Sequence, residues 1–183
     1  MKKTGMVRKL DELGRIVIPK EIRNVLKLKV GMQLEIYINE NGELVLKEYY
    51  PVKELKKLAD LICEILSDNI GKNIFISDRK EIVSASGKNK KNLLHKNIST
   101  ELVALMEERK NYIASSLENE TIIQVVEGEN FIIYSQLFFP LVVCGEVEGM
   151  IGILDSNEEN ISENDIKIIE IVAKFIQRQL ENE

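Results

Sequence analysis

The stretch Val7-Arg8-Lys9-Leu10-Asp11-Glu12-Leu13-Gly14-Arg15-Ile16-Val17-Ile18-Pro19-Lys20-Glu21-Ile22-Arg23 decides how the start of this 183-residue chain folds. Residues 6–10 are β-prone, residues 11–14 are a turn cluster ending in glycine, and residues 15–18 are a β-branched run stopped by Pro19. Two strands around one loop are expected. Proline suits a first helical turn, where its missing N–H costs nothing, and Glu21 then lies at the positive end of the dipole, so residues 20–27 read as a short helix. On that helix Ile22, Val25 and Leu26 make an apolar face, while Lys20, Arg23, Asn24 and Lys27 share the opposite one. A second strand pair follows over residues 33–38 and 43–47, joined through Asn39-Glu40-Asn41-Gly42, whose Asn-Gly step tolerates positive φ.

Seventeen Val, Ile and Leu side chains between Val7 and Leu46 are available for a core in this head. So small a unit buries too little surface to offset chain entropy, and an obligate dimer is expected. The charge is split in the same place. Residues 1–31 hold nine Lys/Arg against three Asp/Glu, and residues 32–183 hold sixteen against twenty-seven, within a net charge of −5. A basic head on an acidic body suggests a polyanion at one end, and two-fold pairing would double the positive surface offered to duplex DNA. A merely solvated charge run is the competing explanation.

The quoted string resembles the AbrB family of swapped-hairpin transcription regulators, and two further stretches resemble that family's second strand pair. They are Leu34-Glu35-Ile36-Tyr37 and Leu44-Val45-Leu46-Lys47-Glu48-Tyr49. The resemblance implies two chains interleaving their hairpins into one small β-barrel-like dimer that presents basic loops to DNA. Carried over by position, it places DNA-contacting cations at Arg8, Arg15 and Arg23, with Lys9 beside the first. The helix face independently gives Lys20 and Arg23, and the loop glycine gives Arg15. Adjacent residues of a regular strand point to opposite faces, so Arg8 and Lys9 reach one groove together only at a twisted strand end. Asn24 departs from the family, where a second arginine is frequent, which implies one cationic contact fewer per subunit.

Tyr50-Pro51 marks the boundary between a DNA-binding domain over residues 1–50 and a second domain over residues 51–183. In the second, Leu55, Leu58, Ala59, Ile62, Ile65 and Leu66 recur at helical steps up to a glycine stop at Gly71. Strands are expected at residues 73–77 and 81–85, a helix opened by Ser99 over residues 100–110, and strands at residues 121–126, 130–140 and 141–154, the last broken near Cys144-Gly145. Ser162 caps a final helix whose Ile166, Ile169, Ala173, Ile176 and Leu180 form a 3–4 seam, widened by Ile168, Ile171, Val172 and Phe175. One side of that helix can cover a sheet, and the other is left for a second helix or a second subunit. The fold class is α+β with an antiparallel sheet. This order is similar to GAF and PAS-type sensor domains. The whole chain resembles regulators of spore-forming bacteria that join an AbrB-type head to a GAF-like body, which implies transcription control in sporulation, a tetramer formed through the body helices, and an unidentified small-molecule effector.

The sequence offers little to catalysis. His95 is the sole histidine, Cys63 and Cys144 lack metal-ligand spacing, and Gly145, Gly149 and Gly152 fall in a strand hairpin rather than a dinucleotide fingerprint. No catalytic residue, metal or cofactor is expected, and no ligand-binding residue can be named. The longest uncharged run, residues 130–145, contains a proline and is short of the ~20 apolar residues that span a bilayer. With no secretory signal, the reading is a cytoplasmic, nucleoid-associated protein. Two other functions stay open. An antitoxin-type module would bind both DNA and a toxin but would normally end in a disordered acidic tail, and a GAF-type enzyme would need an activated thiol.

Overall fold

Pro19 precedes α1, Lys20–Leu26, in the computed structural model of this chain, which describes residues 4–128 and 131–181. The proline stands at the N-cap rather than inside the first turn, and its carbonyl accepts from Arg23 N at 3.0 Å. The helix stops by a Schellman pair: Leu28 N donates to Arg23 O at 2.8 Å and Lys27 N to Asn24 O at 3.3 Å, with Lys27 left-handed. Strands β1, Leu34–Ile38, and β2, Leu44–Glu48, form an antiparallel hairpin in which Ile36 faces Leu46. Its turn is organised by Asn39, whose Oδ1 accepts from Asn41 N and Glu43 N. These elements belong to one compact unit, Met1–Tyr49, and the rest of the chain forms the other, Tyr50–Glu183.

Within the first unit the expected core does not close. Residues 6–10 and 15–18 are not paired as strands, no described residue before Tyr50 is buried, and Val25 and Leu26 on the apolar face of α1 are 78% and 61% exposed. Among the described residues those two runs pair with no strand.

The second unit begins with α2, Pro51–Glu54, and α3, Lys56–Ile70, which ends at the left-handed Gly71. Then come β3, Asn73–Ser77, β4, Ile82–Ser86, the single turn α4, Lys90–Leu93, and α5, Thr100–Glu108. The Ser99 hydroxyl caps α5 by accepting from Leu102 N at 3.0 Å. After β5, Tyr112–Ser115, the chain returns as β6, Ser135–Val143, and β7, Glu146–Asp155, before α6, Glu163–Glu181. The five strands form one antiparallel sheet in the order β4-β3-β7-β6-β5. A two-residue turn with both residues at positive φ, Cys144 and Gly145, joins β6 to β7.

Strand alternation sorts the core into two layers. Ile74, Ile76, Leu137, Phe139, Ile151 and Ile153 pack beneath Ala59 and Cys63 of α3 and Ile169, Ala173, Ile176 and Leu180 of α6. Phe75, Phe138, Met150 and Leu154 pack on the other face with Leu93, Leu102 and Met106. Phe75 and Phe138 meet edge to face at 5.6 Å across Gly152, where an added Cβ would lie 2.5 Å from one ring and 2.6 Å from the other. At the start of α6 the Ser162 hydroxyl accepts from Asp165 N at 3.1 Å while the Asp165 carboxylate accepts from Ser162 N at 3.2 Å. Lys72 then bridges Asp155 at 2.6 Å and Asp165 at 3.7 Å, fixing the helix start to the sheet end.

Three expectations for the body are corrected. Residues 121–126 are not a strand, apart from one bridge between Val126 and Ile98. Their backbone is satisfied by side chains instead: Ser99 Oγ donates to Gln124 O, and the buried Gln136 amide donates to Ile123 O at 3.1 Å and accepts from Ile123 N at 2.9 Å. The fifth strand is β5, which carries too short an apolar pattern to register. Finally, β6 continues through Pro140 to Val143, opposite β7, rather than breaking there. The missing N–H leaves no ladder bond undone, because β5 reaches only as far as Phe138, and the Pro140 carbonyl accepts from Gln177 Nε2 of α6 at 3.1 Å. Asn130, where that strand was expected to open, lies outside the described residues.

Candidate nucleic-acid interface

The basic turn of the first unit is built around Asp11. Its Oδ1 accepts from Leu13 N at 3.0 Å and Arg15 N at 2.7 Å, and its Oδ2 accepts from Arg15 Nε at 2.8 Å. Backbone bonds close the loop, Gly14 N to Asp11 O and Asp11 N to Arg15 O, both at 3.0 Å, and Gly14 supplies the positive φ. The Arg15 backbone N–H and then its guanidinium hold the Asp11 carboxyl below its ordinary pKa, so the loop stays locked at neutral pH. Asp11 was not singled out from the sequence. The signal was an Asx turn, an aspartate two and four residues before the N–H groups it accepts from.

The cations sit at different depths around this turn. Arg8, Lys9 and Arg15 are exposed, with Arg8 Nη1 donating to Val7 O at 3.2 Å. Lys20 is exposed on α1, whereas Arg23, three residues on, is half-buried and its Nε is sealed without a hydrogen-bond partner among the described residues. The helix wheel places Lys20 and Arg23 on one face, but the structure offers only Lys20 fully to solvent. Asn24 is exposed, and its carbonyl is used by the helix stop. Beside these groups lies an open, mostly apolar groove of about 270 Å³, lined by Ile18, Ile22, Leu26, Leu28, Leu34 and Leu46 with Glu48 at its edge.

Among the described residues no group of three His, Cys, Asp or Glu is placed to hold a metal, and no helix is long and apolar enough to cross a membrane. Burial pushes the Cys63 thiol up to about 12, which keeps it protonated and inert, while Cys144 stands exposed on the β6–β7 turn. A buried charge network backs the start of the unit. Lys53 reaches Glu81 at 2.8 Å and Asp78 at 3.6 Å, Arg79 reaches Glu148 at 3.5 Å, and the Tyr50 ring lies against both cations.

A hairpin head with a basic turn, followed by an antiparallel sheet covered by helices, makes a chain of two parts. The comparisons agree for both parts. Residues 54–181 match the family described as "Stage V sporulation protein T C-terminal, transcription factor", and residues 7–57 match "Antidote-toxin recognition MazE, bacterial antitoxin". The chain is 37% identical over 181 residues, 99% of each chain, to stage V sporulation protein T of Bacillus subtilis (strain 168). It is 36% identical over 87 residues, 48% of this chain and 81% of the other, to the transition state regulatory protein AbrB of the same organism. Among solved structures, the body resembles the GAF domain of an Acinetobacter phosphoenolpyruvate-protein phosphotransferase, with TM-score 0.55 and 13% identity over 70% of this chain and 80% of that one. A type II free methionine-R-sulfoxide reductase from Thermoplasma acidophilum gives TM-score 0.55 and 12% identity over 72% and 96%, a likeness of fold alone. The protein is a transcription regulator with an AbrB-like head and a GAF-like body. It belongs to the stage V sporulation protein T family.

Proposed function

We propose that this regulator of sporulation genes binds duplex DNA through a dimer of its head, with Arg8, Lys9, Arg15, Lys20 and Arg23 at the contact surface. The observation that carries the reading is the uncovered head. Twelve of its seventeen Val, Ile and Leu side chains from Val7 to Leu46 are exposed, beside two β-prone runs that pair with no strand among the described residues. Covering even half of each such side chain is worth roughly 1 kcal/mol, so the set withholds on the order of 10 kcal/mol, comparable to the stability of a whole domain. A second copy supplies both the strands and the apolar surface. Dimerisation then brings two Asp11-locked turns onto one molecule and doubles the positive charge facing the phosphates.

The body is proposed to pair dimers into a tetramer. Leu61 and Ile65 of α3 and Ile168, Ile171 and Phe175 of α6 stay exposed on helices that cover the same sheet face. The cell compartment is then the cytoplasm, on the nucleoid, and any small effector belongs to the GAF-like body. The antitoxin alternative is supported by the head alone, over residues 7–57. The full-length relative and the body's own closed core favour a regulator.

The test is a mobility shift with native mass spectrometry on the full chain. Arg15→Ala is expected to weaken DNA binding by at least tenfold while the assembly mass stays that of the unsubstituted protein. A monomeric chain, or one indifferent to duplex DNA at low salt, would refute the proposal, and a co-purified small protein in place of DNA binding would establish the antitoxin reading.

A further inference from the structure

The acidic body carries one stretch of opposite sign. Between residues 79 and 96 there are six Lys/Arg and one acid, whereas the rest of residues 50–183 holds nine Lys/Arg against twenty-two Asp/Glu. Arg79 is engaged by Glu148. Lys80, Lys88, Lys90, Lys91 and Lys96 are all exposed, and among the described residues none of the five has a carboxylate within ion-pair distance.

These lysines stand on ordered backbone. The segment after β4 folds back along that edge strand: His95 N donates to Ile82 O at 3.0 Å, Ile82 N to Lys96 O at 2.9 Å, and Ile98 N to Lys80 O at 2.9 Å. Lys80 and Lys96 are thereby set together at one end of β4, and Lys88, Lys90 and Lys91 surround α4 beyond the other. Asn89 pins that second end, its N–H donating to Asn73 Oδ1 at 2.7 Å and its amide to Ser156 Oγ at 3.1 Å, and Leu93 and Ile98 are buried beneath the segment. Gly87 packs so closely on Asn73 that an added Cβ would lie 2.8 Å from its Oδ1.

Lys90 lies near enough to Asp60 to help lower its carboxyl pKa, but a cluster of like charges with no ion pair of its own still repels itself, and an extended anion relieves that repulsion. The five residues of β4 span roughly 17 Å, the axial length over which duplex DNA carries about ten charges. A row of this length on a sheet edge encloses no small anion. We propose that the β4 edge is a second, sequence-independent contact to the DNA backbone. This rests on the reading of the head as a DNA-binding dimer: because head and body are one chain, a duplex held by the head meets the body's lysines at raised effective concentration.

The test uses the full chain and a 60-base-pair duplex, with binding followed by fluorescence anisotropy across a salt series. Replacing all five lysines by glutamine is expected to leave the circular dichroism melt unchanged, weaken binding at least tenfold near physiological salt, and flatten the log–log salt slope by at least about 2. Replacing all five by arginine is expected to restore both. An unchanged slope in the glutamine variant, or an arginine variant as weak as the glutamine one, overturns the inference. Should the fivefold variant misfold, Lys88→Gln with Lys91→Gln is read the same way for a slope change of about 1 or more. Arg15→Ala separates the two claims. If it loses binding while the lysine variants do not, only the β4-edge contact fails; if the unsubstituted protein does not bind at all, the head reading fails first.

Discussion

Head and body are both rich in Val, Ile and Leu, yet they dispose of these side chains in opposite ways. In the body, Ile74, Phe75, Ile76, Leu137, Phe138 and Ile151 are sealed within a sheet whose strands all find partners in the same chain. In the head, Val7, Leu10, Val17 and Val30 face solvent, and the two runs expected to be strands pair with no strand among the described residues. Apolar content therefore does not decide whether a segment folds alone. What decides is whether its hydrogen-bonding edges close within one chain. The body's own core should fold in a single copy and gain only what its pairing adds, whereas the head's fold as a whole should follow mass action.

The largest effect expected is in the body. Phe138 is fully buried between Phe75 and Tyr112, stacked on the latter at 6.0 Å. Phe138→Ala should cost about 3–5 kcal/mol, read from urea unfolding of the body and unchanged over a hundredfold range of protein concentration. A cost that varied with concentration would place this core between subunits and erase the contrast.

Next comes a change in the head that the body should not notice. Leu26 lines the apolar groove and is mostly exposed in the single chain. Leu26→Asp should weaken head pairing by about 3 kcal/mol, the scale of placing an unpaired carboxylate in an apolar contact, and abolish DNA binding. The urea midpoint of the body should stay where it was. In native mass spectra the assembly should fall to half its mass, because only the body contacts remain. An unaltered assembly would mean that the groove is not where two heads meet.

A smaller effect separates what the sequence shows from what it hides. The α6 cap was legible because Ser162 and Asp165 stand three apart before a 3–4 apolar seam, and both reciprocal bonds form. Ser162→Ala should cost the body about 1 kcal/mol, measured by thermal melting. The third strand, Asn73–Ser77, was legible from its β-branched run between turn residues. By contrast, residues 121–126 look like a strand because pattern reports burial, and burial there comes from a loop whose backbone is satisfied by the side chains of Ser99 and Gln136. Pro140 reads as a strand end because the sequence does not reveal that the neighbouring strand has already stopped. The candidate site divides in the same way. The cations of the basic turn stand in the sequence, but the lock by Asp11 and the partial burial of Arg23 depend on chain path and on what covers the helix face.

The last contrast is electrostatic and has opposite signs in the two units. Glu148 is 1% exposed, and burial pushes its carboxyl above the ordinary value against the pull of Arg79, with Glu146 adding to the rise. Asp78 is raised in the same direction by burial, against the Glu81 and Lys80 backbone N–H groups and the charge of Lys53. A carboxyl raised in the fold holds its proton more tightly than in the unfolded chain, so the body gains stability as pH falls from neutral through that folded pKa. Asp11 is lowered, so its contribution is intact above the unfolded value of 3.8 and is lost only as pH falls through the lower folded value. Mild acid should then strengthen the body and leave the basic turn untouched. In urea midpoints between pH 7 and pH 5, Glu148→Gln should flatten the rise shown by the unsubstituted chain, leaving the part owed to Asp78. Parallel profiles in the two proteins would mean that Arg79 offsets the burial of Glu148 in full, and a steeper loss in the unsubstituted chain than in the variant would mean that the body's charge network stabilises the ionised form just as the head's does.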